Sequence, residues 1–192
     1  KCRRATNKVF GVNVPLMNPR SSSHIDIIIK EKVPVVFTSA GNPLTYTQRL
    51  KDNGIKVVHV VANEKFALKA QEAGVNAIVG EGFEAGGHNG KEETTTLVLI
   101  NQLKKIVDIP IIAAGGIATG EHILSTMILG AEGVQIGTLF ASSEESSAHL
   151  NFKKAILNAK EGDTRLLLRK LSPTRLLAGG FYDKIKEAED RG

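Results

Sequence analysis

The sequence has no tryptophan, and aromatic residues fill only 5% of its 192 positions. That composition does not suit a β-sandwich, whose core usually leans on aromatics. It has one cysteine, Cys2, so no disulfide can form within the chain, and no Cys/His spacing suits zinc. No metal site is expected, and a reducing, cytoplasmic setting fits best. No apolar run approaches the ~20 residues of a membrane span, so no membrane association is expected. No basic-then-apolar signal peptide opens the chain. The Gly-x-Gly-x-x-Gly fingerprint of dinucleotide folds is absent after the first strand.

What is present suits a packed α/β protein. Hydrophobic residues make up 42% and glycine contributes 19 positions. The net charge of +5 and the pI near 9.3 come from scattered cations, apart from Lys1–Arg4 and the Arg165–Arg175 stretch. A basic surface draws anionic ligands, but no nucleic-acid recognition motif accompanies the charge, and no nucleic-acid partner is expected. The chain starts at Lys1 rather than Met and runs from a basic stretch straight into a strand. This reads as a chain taken up partway.

Short β-branched runs alternate with amphipathic stretches. Strands are expected at Val9–Val14, Val33–Thr38, Ile55–Val61, Ala77–Gly80, Ile109–Ala114 and Gly133–Gly137. Helices are expected at Ser23–Lys32 with a serine cap, Leu44–Asn53, Asn63–Ala73, Thr94–Val107, Gly120–Leu129 and Glu144–Ala159, with a further helical tail after Phe181. The strands are near-continuous apolar runs, the mark of a parallel sheet covered on both faces. Six such units make an open doubly wound sheet or three quarters of an eight-fold barrel.

The barrel is favoured. Polar and glycine residues sit at most C-terminal strand ends: Asn13, Thr38-Ser39, His59, Glu81, Gly115-Gly116 and Gly137-Thr138. A barrel builds its active site from all of those ends, whereas an open sheet uses mainly one switch point. The fold expected is therefore α/β, a TIM-type (β/α)8 barrel lacking its first two strands. It is a single domain over 1–192, with 165–192 as a peripheral helical tail.

Two segments carry chemistry. Ile111-Ile-Ala-Ala-Gly-Gly-Ile-Ala-Thr-Gly120 ends a strand in paired glycines, whose backbone N–H groups can approach a phosphate unobstructed. One unit later Gly137-Thr138 repeats the device and adds a hydroxyl. Two such turns side by side grip one phosphate; tight βα turning alone is the plainer reading of either pair. Glu81-Gly-Phe-Glu-Ala-Gly-Gly-His-Asn-Gly90 places four glycines around a single histidine and two carboxylates. His88 at a strand's C-terminal side can hydrogen-bond or exchange a proton with a substrate.

These segments, with Ala40-Gly-Asn-Pro43, Leu129–Thr138, Glu144–His149 and Asp163-Thr164, resemble one family over about Val9 to Thr164. It is the FMN-dependent nitronate monooxygenase and enoyl-acyl carrier protein reductase II family. The turn at Ala40–Pro43, the His88 loop and the stretch near His149 look more like the reductase branch. The resemblance implies FMN, with NADH or NADPH as reductant in the reductase branch. It implies that Asn13 faces the flavin and that Ser39, Ala40 and Gly41 lie beside its ring. Glu81, Gly86 and Gly87 would flank flavin and substrate, with His88 catalytic. Ala114, Gly115, Gly116, Gly137 and Thr138 would hold the FMN phosphate, with Gln135 pointing to the cofactor from inside the barrel. The substrate implied is an enoyl chain on acyl carrier protein, or a small alkyl nitronate oxidised with O2; a homodimer is compatible. Two departures from the family are the absence of its two opening strands and Leu139 where arginine is frequent.

Other residues carry weaker readings. Glu81 and Glu84 could pair as acid and base, though loop carboxylates are usually solvated. His59 reads as a core histidine, His24 and His122 as surface residues, and His149 as shaping the site mouth. The Arg165–Arg175 cations read as a solvated face that would also suit an acidic carrier protein. The serines at 142, 143, 146 and 147 lack a nucleophile elbow. The rival readings are a barrel isomerase or aldolase acting on a sugar phosphate, and an inert fragment.

Overall fold

The computed structural model describes residues 2–191. After a short helix α1 (Cys2–Ala5), the chain alternates strand and helix: β1 (Gly11–Pro15), α2 (Ser21–Lys30), β2 (Val35–Ser39), α3 (Thr47–Asp52), β3 (Lys56–Val61), α4 (Glu64–Glu72) and β4 (Ala77–Glu81). It continues through β5 (Gly87–His88), α5 (Thr96–Lys104), β6 (Ile111–Ala114), α6 (Gly120–Ile128), β7 (Gly133–Gln135), α7 (Thr138–Ala141) and α8 (Leu150–Asn158). Two strands, β8 (Thr164–Leu167) and β9 (Thr174–Leu177), precede the final helix α9 (Gly180–Arg191).

The main sheet has six strands in the order β1-β2-β3-β4-β6-β7, every pair parallel. It curls into part of a TIM-type barrel with the helices outside. The expected six parallel strands are all present. A second sheet, β5-β9-β8, is antiparallel and was not expected.

The alternation of side chains along each strand separates two cores. One face presents Val14, Val36, Val57, Ile78, Ile111 and Ala113 to the helices, which answer with Ile25, Ile28, Leu50, Ala67, Leu99 and Leu103. Seating six such side chains removes on the order of 10 kcal/mol worth of apolar surface from water. The other face is concave and holds a smaller cluster of Val58, Val79 and Ala114, with Phe37, Val60 and Ile112 packed against it.

Local differences from expectation have local causes. Helix α2 starts at Ser21, and Ser23 does not cap it, because its hydroxyl donates back to the Arg20 carbonyl at 2.9 Å. The helix expected from Glu144 begins only at Leu150. The serines before it spend their hydroxyls on carbonyls, Ser142 on Leu139 and Ser143 on Phe140, which favours turns over helix. Thr138 opens α7 instead of closing a strand. The reading of 165–192 as a helical tail is corrected: its first half forms β8 and β9, and only Gly180–Arg191 is helical. Among the described residues no helix is long and apolar enough to cross a membrane.

Candidate active site

The register of the main sheet decides which strand-end side chains share a face. Asn13 lies opposite Phe37, Glu81 opposite Ala114, and Ala114 opposite Gln135. Ser39 follows Phe37 by two positions, so it points the same way. Asn13, Ser39, Glu81, Ala114 and Gln135 therefore line the C-terminal part of the concave face. Thr38 and His59 are one position out of phase and face the helices.

Glu81 is the most perturbed acid of this row. It accepts no side-chain hydrogen bond among the described residues, and burial pushes its carboxyl up to about 7. His59 is the opposite case. It is 4% exposed, and Thr38 Oγ1 lies 2.7 Å from its Nδ1. Burial lowers it to about 4, against a hydrogen bond with the Gly41 backbone that raises it, so the ring is neutral at pH 7. His59 is a core histidine, as its apolar strand suggests, and it supports the turn at Ala40–Gly41 from beneath. Ala40 in that turn has a φ of +50°, a left-handed conformation uncommon for a residue with a Cβ.

The turn after β6 is fixed by Gly115 and Gly116, with φ of +104° and +67°. A Cβ on Gly115 would come within 2.7 Å of Thr96 Oγ1 and 2.8 Å of the Gly82 carbonyl, so both conformation and space require glycine. Their backbone N–H groups, and that of Gly137, donate no hydrogen bond to protein among the described residues. The space beside the α-carbons of Gly86, Gly87 and Gly137 is open.

The segment between β4 and α5 is tied to the ends of two other strands, β6 and β3. Gly82 N donates to the Ala114 carbonyl at 2.9 Å, Gly116 sits against Glu84, and Gly90 sits against Ala62 beyond β3. Glu84 is not an acid/base partner of Glu81. Its Oε2 accepts from Thr96 N and lies the same 2.9 Å from Thr96 Oγ1, which caps α5 with a charge suited to a helix start. Asn89 Nδ2 donates to the carbonyls of Ala85 and Gly87 and locks the double-glycine turn. Its buried Oδ1 has no partner among the described residues.

His88 is held from the other side. Its backbone pairs with Thr174 of β9, and its Nδ1 lies 3.1 Å from both Ser172 Oγ and Thr174 Oγ1. Its Nε2 has no partner among the described residues. Arg175, grouped by sequence with solvated cations, donates from Nε and Nη2 to the Phe83 carbonyl at 3.1 and 3.0 Å. Its guanidinium stands 4.5 Å from the Phe83 ring centroid, so the hairpin is clamped onto the histidine segment. Sequence reasoning missed Ser172, Thr174, Arg175 and Asn89. The signal was the repeat Thr-Arg-Leu-Leu at 164–167 and 174–177, which forms the two paired strands.

His149 caps α8 by accepting from Asn151 N, and His122 accepts from Ala118 N, so both are engaged locally. No group of metal-ligating side chains exists among the described residues.

The sequence profile of nitronate monooxygenase matches residues 2–191. The chain belongs to the nitronate monooxygenase family. A relative in Staphylococcus aureus strain JH9 named probable nitronate monooxygenase is 42% identical over 150 residues, 73% of this chain and 42% of the relative's length. A Staphylococcus saprophyticus protein of the same name is 34% identical over 95% of this chain and 56% of its own length. Among solved structures, FabK from Thermotoga maritima superposes with a TM-score of 0.93 at 46% identity, covering 97% of this chain and 60% of that one. Nitroalkane oxidase from Streptomyces ansochromogenes gives a TM-score of 0.83 at 27% identity, over 95% of this chain and 65% of that one. This chain thus spans between 42% and 65% of the lengths of these relatives.

Proposed function

We propose that the concave face of this chain binds FMN in a flavin-dependent oxidoreductase, with His88 facing the substrate. One observation carries the reading. A polar row of Asn13, Ser39, Glu81 and Gln135 sits on the face opposite the helices, beside glycine turns whose N–H groups have no protein partner among the described residues. Such a site is polar where a ring is read and stripped of side chains where a phosphate must approach.

These residues fit a flavin mononucleotide. The N–H groups of Gly115, Gly116 and Gly137 and the Thr138 hydroxyl would neutralise its phosphate. Ser39, Ala40 and Gly41 would lie beside its ring system, held from beneath by His59. Glu81 supports the fit as an acid without a hydrogen-bond partner among the described residues. Below its raised pKa of about 7 it is neutral and can donate to an acceptor on the ring. Bound there, the flavin would supply electron transfer between a nicotinamide donor and a carbon–carbon double bond, or oxidation of an alkyl nitronate with O2.

For the reaction we favour NADH- or NADPH-dependent reduction of an enoyl thioester, on acyl carrier protein or a smaller carrier. The support is the 46% identity to FabK across nearly the whole chain, against 27% to nitroalkane oxidase. In that reaction His88, as the imidazolium, would donate a proton from Nε2 to the carbon next to the thioester. The second reading, oxidation of alkyl nitronates, is favoured by the family profile and the Staphylococcus relatives. There His88 Nε2 would take the α-proton of a neutral nitroalkane, which leaves the nitronate that is oxidised.

Anaerobic stopped-flow absorbance distinguishes them. Loss of the flavin bands on mixing with NADH or NADPH, reversed by an enoyl thioester, supports the reductase. Loss with a nitronate alone supports the second reading. Inertness to both sinks the oxidoreductase proposal.

A further inference from the structure

The hydroxyl protons around His88 decide which of its nitrogens carries hydrogen. Thr174 Oγ1 donates its single proton to the Ser172 carbonyl at 2.8 Å. It has none left for the imidazole, yet it lies 3.1 Å from Nδ1. The contact is a hydrogen bond only if Nδ1 carries the proton and Thr174 accepts it. Ser172 Oγ, also 3.1 Å away, fits either state, accepting from Nδ1–H or donating to a bare Nδ1, so Thr174 is the contact that sets the choice. Neutral imidazole has one N–H, so Nε2 is then left with a lone pair.

We propose that Thr174, on the β8–β9 hairpin, is a positioning residue that fixes His88 as its Nδ1–H tautomer and presents Nε2 as a proton acceptor. The tautomer is inferred from the Thr174 contacts; the meeting of Nε2 with substrate rests on the function proposed above. Free imidazole side chains favour the opposite tautomer, so the hairpin stabilises the form that is the minor one in water. A proton leaving an acidic substrate carbon moves to Nε2, and the electron pair of the C–H bond stays on that carbon. The imidazolium so formed keeps its Nδ1–H on the two hydroxyl oxygens. Donation runs in reverse and only from that imidazolium.

Of the charged groups on the His88 segment and the hairpin, Glu81, Lys91, Arg165 and Lys170 have no partner among the described hydrogen bonds and ion pairs, and the others are engaged away from the ring. Arg175 is held by the Phe83 carbonyl, Glu84 by Thr96, Glu92 by Asn63, and Arg169 pairs with Glu93 at 3.2 Å. No carboxylate competes with the hydroxyls at Nδ1 among the described hydrogen bonds. Thr174 is buried while His88 is exposed, so the orienting contact is sheltered and the working nitrogen is open.

The test is long-range 15N–1H correlation spectroscopy of the histidine side chains in the 192-residue chain at a pH where His88 is neutral. The His88 signal is assigned from its loss in His88→Ala, and the buried His59 signal serves as a reporter of native folding. Wild type and Thr174→Ser are expected to show a pyrrole-type shift at Nδ1 and a pyridine-type shift at Nε2. Thr174→Val, with His59 unmoved, is expected to swing His88 toward the Nε2–H form. In flavin-loaded enzyme, Thr174→Val should lose kcat on the order of ten- to a hundred-fold with KM little changed, and Thr174→Ser should restore it. An Nε2–H tautomer in wild type, or an unchanged His88 pattern in Thr174→Val, overturns the proposal. If the tautomer shifts as expected but wild type turns over neither enoyl thioester nor nitronate, the positioning stands and the proposed function fails.

Discussion

Replacing Glu81 with glutamine should stabilise the chain at alkaline pH and remove a specific part of its pH dependence. Burial lifts the Glu81 carboxyl from 4.5 to about 7. Between those values the folded chain binds more proton than the unfolded chain, so stability falls as pH rises through the window. A rise of about 2.5 units at 1.36 kcal/mol per unit is ~3.4 kcal/mol. Glu81 keeps partial solvent contact, and roughly 2 kcal/mol is the more realistic size. His59 works the other way: its folded value near 4 against 6.5 unfolded makes stability rise with pH between those two points. The two slopes oppose and largely cancel in wild type. The difference between wild type and Glu81→Gln isolates the carboxyl, because His59 is common to both. Urea unfolding at intervals from pH 4.5 to 8.5 is the assay. Glu81→Gln should gain ~2 kcal/mol relative to wild type between the ends of the window, and gain little more above pH 8. A constant difference across the whole range would refute the assignment of Glu81 as a buried, unpartnered acid.

Other outcomes follow from the same geometry. Gly115→Ala should lose about 2–4 kcal/mol in urea unfolding, from left-handed strain and from the Cβ meeting Thr96 and the Gly82 carbonyl. Arg175→Met keeps the length of the side chain but loses both bonds to Phe83; it should cost about 1–3 kcal/mol and raise amide exchange at 83–89 and 172–177. His88→Ala should retain FMN, because His88 is exposed and holds none of the phosphate turns, yet lose most turnover; unchanged turnover with enoyl thioester and nitronate would remove His88 from the chemistry.

The barrel architecture was legible because hydrophobic runs and glycine stops carry it locally. Val33–Thr38, Ile55–Val61 and Ile109–Ala114 needed only their apolar continuity to be placed in a parallel sheet. Asn13, Ser39 and Glu81 were legible as strand-end polars and Gln135 only through the family resemblance, and the register then set all four on the concave face. The surroundings of His88 were not legible, because they depend on a pairing across more than eighty residues. Arg175 looked like one cation among several in a basic run, yet its alternation partner Thr174 is buried and its own charge is spent on Phe83. The role of Glu84 at a helix start was hidden for a similar reason: the donor it serves, Thr96 N, belongs to a helix that only the fold brings near. Short strands such as β5, two residues long, have no periodicity to read.

The central claim is that a flavin phosphate rests on the turns at Gly115–Gly116 and Gly137–Thr138. Its most direct test is a fluorescence titration of the chain with FMN and, in parallel, with riboflavin, which has the same ring system and no phosphate. The account predicts saturable FMN binding that is much tighter than riboflavin binding, with Gly137→Val erasing the difference. Equal affinity for the two flavins, or no saturable binding of FMN, would contradict it.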